Sequence, residues 1–263
     1  MIFLATDIGN SNTVMVLFRN SEILGEWRFA SSPSLRTTEL REHLGLFLRE
    51  TRIPANAIGG TGISSVVPPL TRTFIRTLRG MTKLEPMVIS GKLPVPVRLR
   101  YDDPGRLGAD RICGIVAARE KAGRRAVIVA DFGTATTYDV LSAGGLYLGG
   151  AIAPGVGISA EALSLRTAAL PIPALEFPRS PIGRNTLDCL KSGILFGAVD
   201  AFEGMIRRLR KAAGASAPVI ATGGFAGLIA SQSKLVSAVE PYLVPEGIRA
   251  IYSSVIAGRK RRR

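Results

Sequence analysis

Apolar residues fall in short runs along this chain, and most of the runs end on a small polar or acidic turn. Ile2 to Thr6 and Thr13 to Phe18 are two such runs joined by Asp7 to Asn12, which predicts two strands and a tight connection. Glu22 to Ala30 predicts a third strand, so the chain opens as a meander. The spacing then changes. From Leu35 to Thr51, Leu40, Leu44, Phe47 and Leu48 recur at helical intervals. Gly62 to Val67 predicts a strand, and Pro68-Pro69 suits the first turn of a helix running to about Leu78. Pro86 to Ser90 predicts one more strand. Leu107 to Ala122 follows with an apolar stripe of Ala109, Ile112, Ile115 and Val116, and Gly123 stops it.

After Gly123 the pattern restarts. Ala126 to Ala130 predicts a strand, Asp131 to Ala135 a turn, and Thr136 to Leu141 and Leu146 to Ala153 two further strands. A helix is predicted over Ser159 to Ala169, a proline-bearing loop to Asn185, and a long helix from Leu187 to Ala212. Val219 to Thr222 predicts a strand, Gly223-Gly224 breaks it, and a helix follows at once. Two halves thus begin alike, strand, acidic turn, strand, turn, strand, with Asp7 and Asp131 at corresponding places. The expected fold class is α/β: two similar halves, each a mixed sheet with helices. The expected division is 1–118, 119–258 and a basic tail at 259–263 without fixed structure.

Composition narrows the class. The chain has 263 residues with 46% apolar content and 29 glycines, as a turn-rich globular protein does. No apolar run approaches the roughly 18 to 20 residues that span a bilayer. No basic segment precedes the first apolar run, so neither a signal peptide nor a membrane partner is expected and the cytoplasm is the expected location. Cys113 and Cys189 lie in apolar helical surroundings and read as reduced core residues. The net charge is +14. GRKRRR at the end supplies five positive charges, which reads as a solvated end. Nucleic acid would be a partner only through that tail, and the reading is not favoured.

An aspartate directly after a strand stands where ligands of α/β sheets collect. It cannot hold phosphate alone, but it can hold a cation that bridges phosphate oxygens. Gly9 lets the backbone approach closely, and Asn10, Ser11, Asn12 and Thr13 offer N–H groups and small polar side chains. Alone, ATDIGNSNT reads as a hairpin turn as readily as a phosphate loop. Its echo in ADFGTATT, with the glycine pair in VIATGGFAG as a candidate adenosine cradle, favours a two-loop nucleotide clamp. No GxxxxGK[ST] run is present, so a P-loop is not the device. No Cys/His cluster suggests zinc. His43, the single histidine, reads as part of a solvated helix face, and Asp139, Glu161, Asp188 and Glu203 read as surface or structural acids.

The ordered set DIGNSNTV, GADRI at Gly108 to Ile112, DFGTATTYDV, GGAIAPGVGIS, IGRNT and ATGGFA resembles the type III pantothenate kinases of bacteria. That resemblance implies an actin-like fold with ATP in the cleft between two halves. It also implies ATP-dependent phosphorylation of pantothenate to 4'-phosphopantothenate, the first step towards coenzyme A, with Mg2+ and a monovalent cation, K+ or NH4+. Carried onto this chain, Asp7, Ile8, Gly9, Asn10, Ser11, Asn12, Thr13 and Val14 would form the first phosphate loop. Asp7 is the candidate for the Mg2+ of Mg-ATP. Asp110 would be the general base, and Tyr101, Gly108, Ala109, Asp110, Arg111 and Thr186 would bind pantothenate. Asp131 would hold the monovalent cation, Thr134 would meet the ATP phosphates, and a homodimer is implied. Two alternatives remain at this level: a non-catalytic nucleotide-binding regulator of the accessory transcription factor type, and a kinase of another small alcohol.

Overall fold

Strand β1 (Ile2–Ile8) pairs antiparallel with β2 (Asn12–Arg19), which pairs antiparallel with β3 (Glu22–Ala30), so the opening meander forms as the apolar runs predict. The structure, a computed structural model, describes residues 1–214 and 216–260. Its chain divides into two units. One comprises Met1–Ala117 and the segment from Tyr242 onward; the other comprises Ala118–Pro241.

In the first unit, α1 (Thr37–Glu50) leads to β4 (Ile58–Ser65), α2 (Pro68–Thr82) and the short edge strand β5 (Met87–Val88). The strand order is β3-β2-β1-β4-β5, with β1 parallel to β4. Leu4 and Ile8 of β1 point to a core shared with Leu40, Leu44 and Phe47 of α1 and Leu70 and Phe74 of α2. Phe3 points to the opposite face, where its ring centroid lies 4.8 Å from that of Tyr252. Tyr252 belongs to the last helix, α7 (Leu243–Lys260), so the sheet is covered on both faces. That explains why β1 reads as an unbroken apolar run.

The second unit starts within α3 (Ala109–Ala122), which follows the two-residue strand β6 (Arg98–Leu99). Strands β7 (Val127–Phe132), β8 (Ala135–Leu141) and β9 (Leu146–Pro154) form a second meander. Then come α4 (Val156–Arg166), α5 (Thr186–Ala213), β10 (Val219–Thr222), α6 (Ala226–Ala230) and β11 (Ala238–Val239). Within this unit the strands run β11-β10-β7-β8-β9, with β10 parallel to β7 and β8 antiparallel to it. Ile128, Ala130 and Phe132 meet Leu195, Phe202 and Ile206 of α5 in its core. The α/β class with two mixed sheets is therefore as expected.

Several expectations differ from the structure. Residues from Tyr242 onward group with the first unit, not with 119–241, because α7 packs on β1 and β4. Strand β4 begins at Ile58, before the predicted Gly62, because it pairs with β1 from Ile2 onward; Gly60 leaves the space that the Tyr252 ring fills. Helix α7 runs through Arg259 and Lys260, so the start of the expected tail is helical; positions 261–263 lie outside the described residues. His43 is not on a solvated face: its ring stacks on Phe29 at 4.6 Å and its Nδ1 is buried. Cys189 is exposed, whereas Cys113 is buried as expected. Among the described residues no helix is long and apolar enough to cross a membrane.

Ile248 is fully buried on α7, so Ile248→Ala should cost about 2–5 kcal/mol in urea unfolding. A change under about 0.5 kcal/mol, as expected at an exposed surface position, would show that α7 is not part of the first unit's core.

Candidate active site

The first acidic turn is a hairpin connection held from several sides. Gly9 N–H donates to the Asn12 carbonyl at 3.0 Å, and Ser31 N–H donates to the Ser11 carbonyl at 2.9 Å. Thr13 and Ser31 hydroxyls lie 2.8 Å apart, and Val66 N–H donates to the Ile8 carbonyl at 3.1 Å. Ile8 and Thr13 side chains are buried, so only their backbone can face a ligand; Asn10, Ser11 and Asn12 are exposed. Asp7, half-buried at the end of β1, stands opposite Val14 on β2 and Ser64 on β4.

Helix α3 starts at Ala109 and carries Asp110 and Arg111 in its first turn. An Asp110 carboxylate oxygen accepts from Arg111 N–H at 2.8 Å, which fixes the half-buried side chain. Cys113, three residues on, shares that side of the helix and is completely buried. Its thiol is pushed well above the ordinary range, first by burial and then by the negative charges of Asp7 and Asp110, with the Ser64 hydroxyl beside it. The charges of both aspartates thus act on one buried thiol, which the sequence marked only as a core residue; Ser64 had no assigned role. The spacing of Asp110 and Cys113 signals a shared helix face. Ser64 had no signal, because strand pairing is non-local. Tyr101 is exposed in the segment leading to this helix.

In the second unit Asp131 ends β7 and Gly133-Thr134 make the turn, closed by Gly133 N–H donating to the Ala135 carbonyl at 3.1 Å. Two other segments press on that turn. Gly155, the residue before α4, lies so close to the Gly133 and Thr134 carbonyls that a Cβ there would overlap both. Gly223 adopts φ +90°, and a Cβ on it would overlap an Asp131 carboxylate oxygen. Phe225 N–H donates to the Phe132 carbonyl at 3.1 Å. The first helical bond of α4 is Ser159 N–H to the Gly155 carbonyl, so the N–H groups of Val156 to Ile158 open beside the turn. Sequence reasoning identified Asp131, Thr134 and Gly223-Gly224, and gave Gly155 to Ile158 no role beyond their place in GGAIAPGVGIS. Pro154-Gly155 before a helical run was the available signal. Thr186 is exposed at the first position of α5, after Asn185, whose side chain caps that helix. Asp139, read as a structural acid, is buried and accepts from the Tyr147 hydroxyl at 2.8 Å.

Among the described residues no three His, Cys, Asp or Glu converge as a metal cluster. The donors at hand are single carboxylates beside oxygens: Asp7 opposite Ser64 on the neighbouring strand, and Asp131 beside the Phe132 carbonyl. That set fits a Mg2+ keeping most of its waters and phosphate ligands at Asp7, and a monovalent cation at Asp131.

Residues 3–208 match the family model described as type III pantothenate kinase. The chain is 42% identical over 251 residues to a type III pantothenate kinase of Thermomicrobium roseum, covering 95% of this chain and 96% of that one. It is 40% identical to one of a Roseiflexus species, covering 95% and 98%. Among solved structures, the (R)-2-hydroxyglutaryl-CoA dehydratase component A of Acidaminococcus fermentans shares the fold, with a TM-score of 0.57, 12% identity and 99% coverage of both chains.

The Cys113 geometry has a measurable consequence. Above about pH 8.5 the unfolded thiol releases a proton that the folded one keeps, so stability falls as pH rises through that value. Unfolding free energy should drop more between about pH 7.5 and about pH 9.5 in the native chain than in Cys113→Ala. Equal slopes would mean that the thiol is not held protonated.

Proposed function

The chain belongs to the type III pantothenate kinase family, and we propose from that membership and the site geometry that it carries out the family's reaction. ATP phosphorylates pantothenate to 4'-phosphopantothenate, the first step of coenzyme A biosynthesis. The observation that supports this reading most directly is the family match over residues 3–208, which spans the acidic turn at Asp7 and the Asp110 carboxylate held by Arg111 N–H in the first turn of α3.

The chemistry assigns a role to each group. The primary hydroxyl oxygen of pantothenate attacks the γ-phosphorus, and the bond from that phosphorus to the bridging oxygen breaks, releasing ADP. The hydroxyl proton passes to the Asp110 carboxylate, which the Arg111 N–H holds in one orientation. Arg111 offers a guanidinium to the carboxylate of pantothenate, and Tyr101, Gly108, Ala109 and Thr186 complete the acceptor site. The backbone from Asp7 to Val14 and Thr134 bind phosphate oxygens, and the first turn of α4 adds N–H groups to the second set. When bound, Mg2+ at Asp7 supplies charge neutralisation on the phosphates, and Asp131 holds K+ or NH4+. The cytoplasm, where ATP is abundant, is the proposed location.

A homodimer is also proposed. Leu148 and Ile152 stand on the exposed side of β9, and α4 exposes Ile158, Leu163 and Leu165, the last at 81%. Apolar side chains this concentrated mark a surface that a second copy covers. Light scattering should give a dimer, and Ile152→Glu with Leu165→Glu should give a monomer. A native chain that is monomeric at assay concentration would remove the dimer from the account.

ADP formation should require pantothenate, ATP and Mg2+, and should rise with K+ or NH4+. Asp110→Asn should lower kcat by about 10²- to 10⁴-fold. Turnover of another small alcohol in place of pantothenate would reassign the substrate, and full activity in Asp110→Asn would remove the base.

A further inference from the structure

The chain between β5 and α3 carries Tyr101 and leads into Asp110, and its attachment to the first sheet is through backbone. Ile89, just past β5, is 3% exposed and donates its N–H to the Ile63 carbonyl of β4 at 2.8 Å. Two residues later Gly91 lies against Pro104. A Cβ at Gly91 would overlap the carbonyl oxygen and carbonyl carbon of Pro104 and crowd its Cα, so a side chain fits only if the turn moves. Pro104–Arg106 forms one tight turn. Asp103 caps it by accepting from Gly105 N–H at 3.0 Å, and Arg106 N–H donates to the Asp103 carbonyl at 2.9 Å. Leu107 N–H then donates to the Pro104 carbonyl, the group that touches Gly91, and the Leu107 side chain is 4% exposed. Gly108, Ala109 and Asp110 follow without a break, and Ile112 N–H donates to the Gly108 carbonyl at 3.1 Å.

We propose that Gly91 is a positioning residue for the acceptor side of the reaction. Its contact with Pro104 is a strut that carries the placement of the sheet to Asp110 and to the Tyr101-to-Arg111 segment. The contact of Gly91 with Pro104 and the bonds on either side of it are between backbone groups, so turning a side chain cannot relieve them; only the Asp103 cap on Gly105 N–H uses a side chain. A methyl group at position 91 displaces the 104–106 turn and, with it, the start of α3. The first phosphate turn is held by its own bonds to Ser31 and Val66, and the second, at Asp131, lies outside this chain of contacts. The effect should therefore fall on the acceptor, not on ATP. The inference rests on the proposed roles of Asp110 and the pantothenate-binding residues.

The test compares native protein, Gly91→Ala, Asp103→Ala and a control, Gly45→Ala, where a Cβ meets open space. Gly91→Ala should raise KM for pantothenate about ten- to hundredfold, with KM for ATP held within about twofold. Asp103→Ala, which loosens the turn without an overlap, should move the same way by less, and Gly45→Ala should not move. Hydrogen exchange at the Leu107 and Ile112 amides should be faster in Gly91→Ala than in the control. A folded Gly91→Ala with native KM for pantothenate, or with both KM values raised alike, overturns the strut. Should Gly91→Ala fail to fold, Asp103→Ala decides by the same criteria. Should the native chain not phosphorylate pantothenate, the proposed function falls, and native exchange at the two amides in Gly91→Ala then overturns the strut separately.

Discussion

A strand buried on both faces has only its end to offer to chemistry, and both sheets are organised around such a strand. In β1, Leu4, Ala5 and Thr6 have no exposed surface, with α1 and α2 on one side and α7 on the other. In β7, Val127, Ile128 and Ala130 are equally enclosed. A carboxylate inside either strand would be desolvated without compensation. The first acids therefore appear at the carboxyl ends, Asp7 and Asp131, both half-buried. What surrounds those ends decides what they can do.

The surroundings are mostly backbone. Gly155 and Gly223 bring two further chain segments against the Asp131 turn, and the negative charges of Asp7 and Asp110 both raise the Cys113 thiol, which has no exposed surface. Single carboxylates with main-chain donors and carbonyls suit phosphoryl transfer, where the protein's work is positioning and charge neutralisation. They do not suit a resident metal cluster, whose ligands would have to converge in number. Placement to within fractions of an ångström is what backbone packing supplies and what side-chain flexibility would erode.

Much of this was legible in the sequence. Short apolar runs ending in Asp-x-Gly marked both meanders, and the same grammar recurs at the head of each. The ordered motifs led to the family that the comparisons show. Illegible were the features made by distant segments. Helix α7 joins the first unit because Tyr252 and Ile248 find their partners in β1 and β4, which its own pattern cannot say. Ser64 stands opposite Asp7 only through strand pairing, and the start of β4 at Ile58 was hidden because the ring over Gly60 lies nearly two hundred residues away. His43 looked solvated because its stacking partner, Phe29, comes from a strand and not from its own helix.

The central claim is that the γ-phosphoryl group of ATP ends on the primary alcohol of pantothenate. Phosphorus NMR of the reaction mixture tests it without inference from coupled enzymes. The account predicts a new phosphomonoester resonance split by two methylene protons, growing in step with ADP and absent when pantothenate is omitted. ADP accompanied only by inorganic phosphate, with no such resonance, would contradict it.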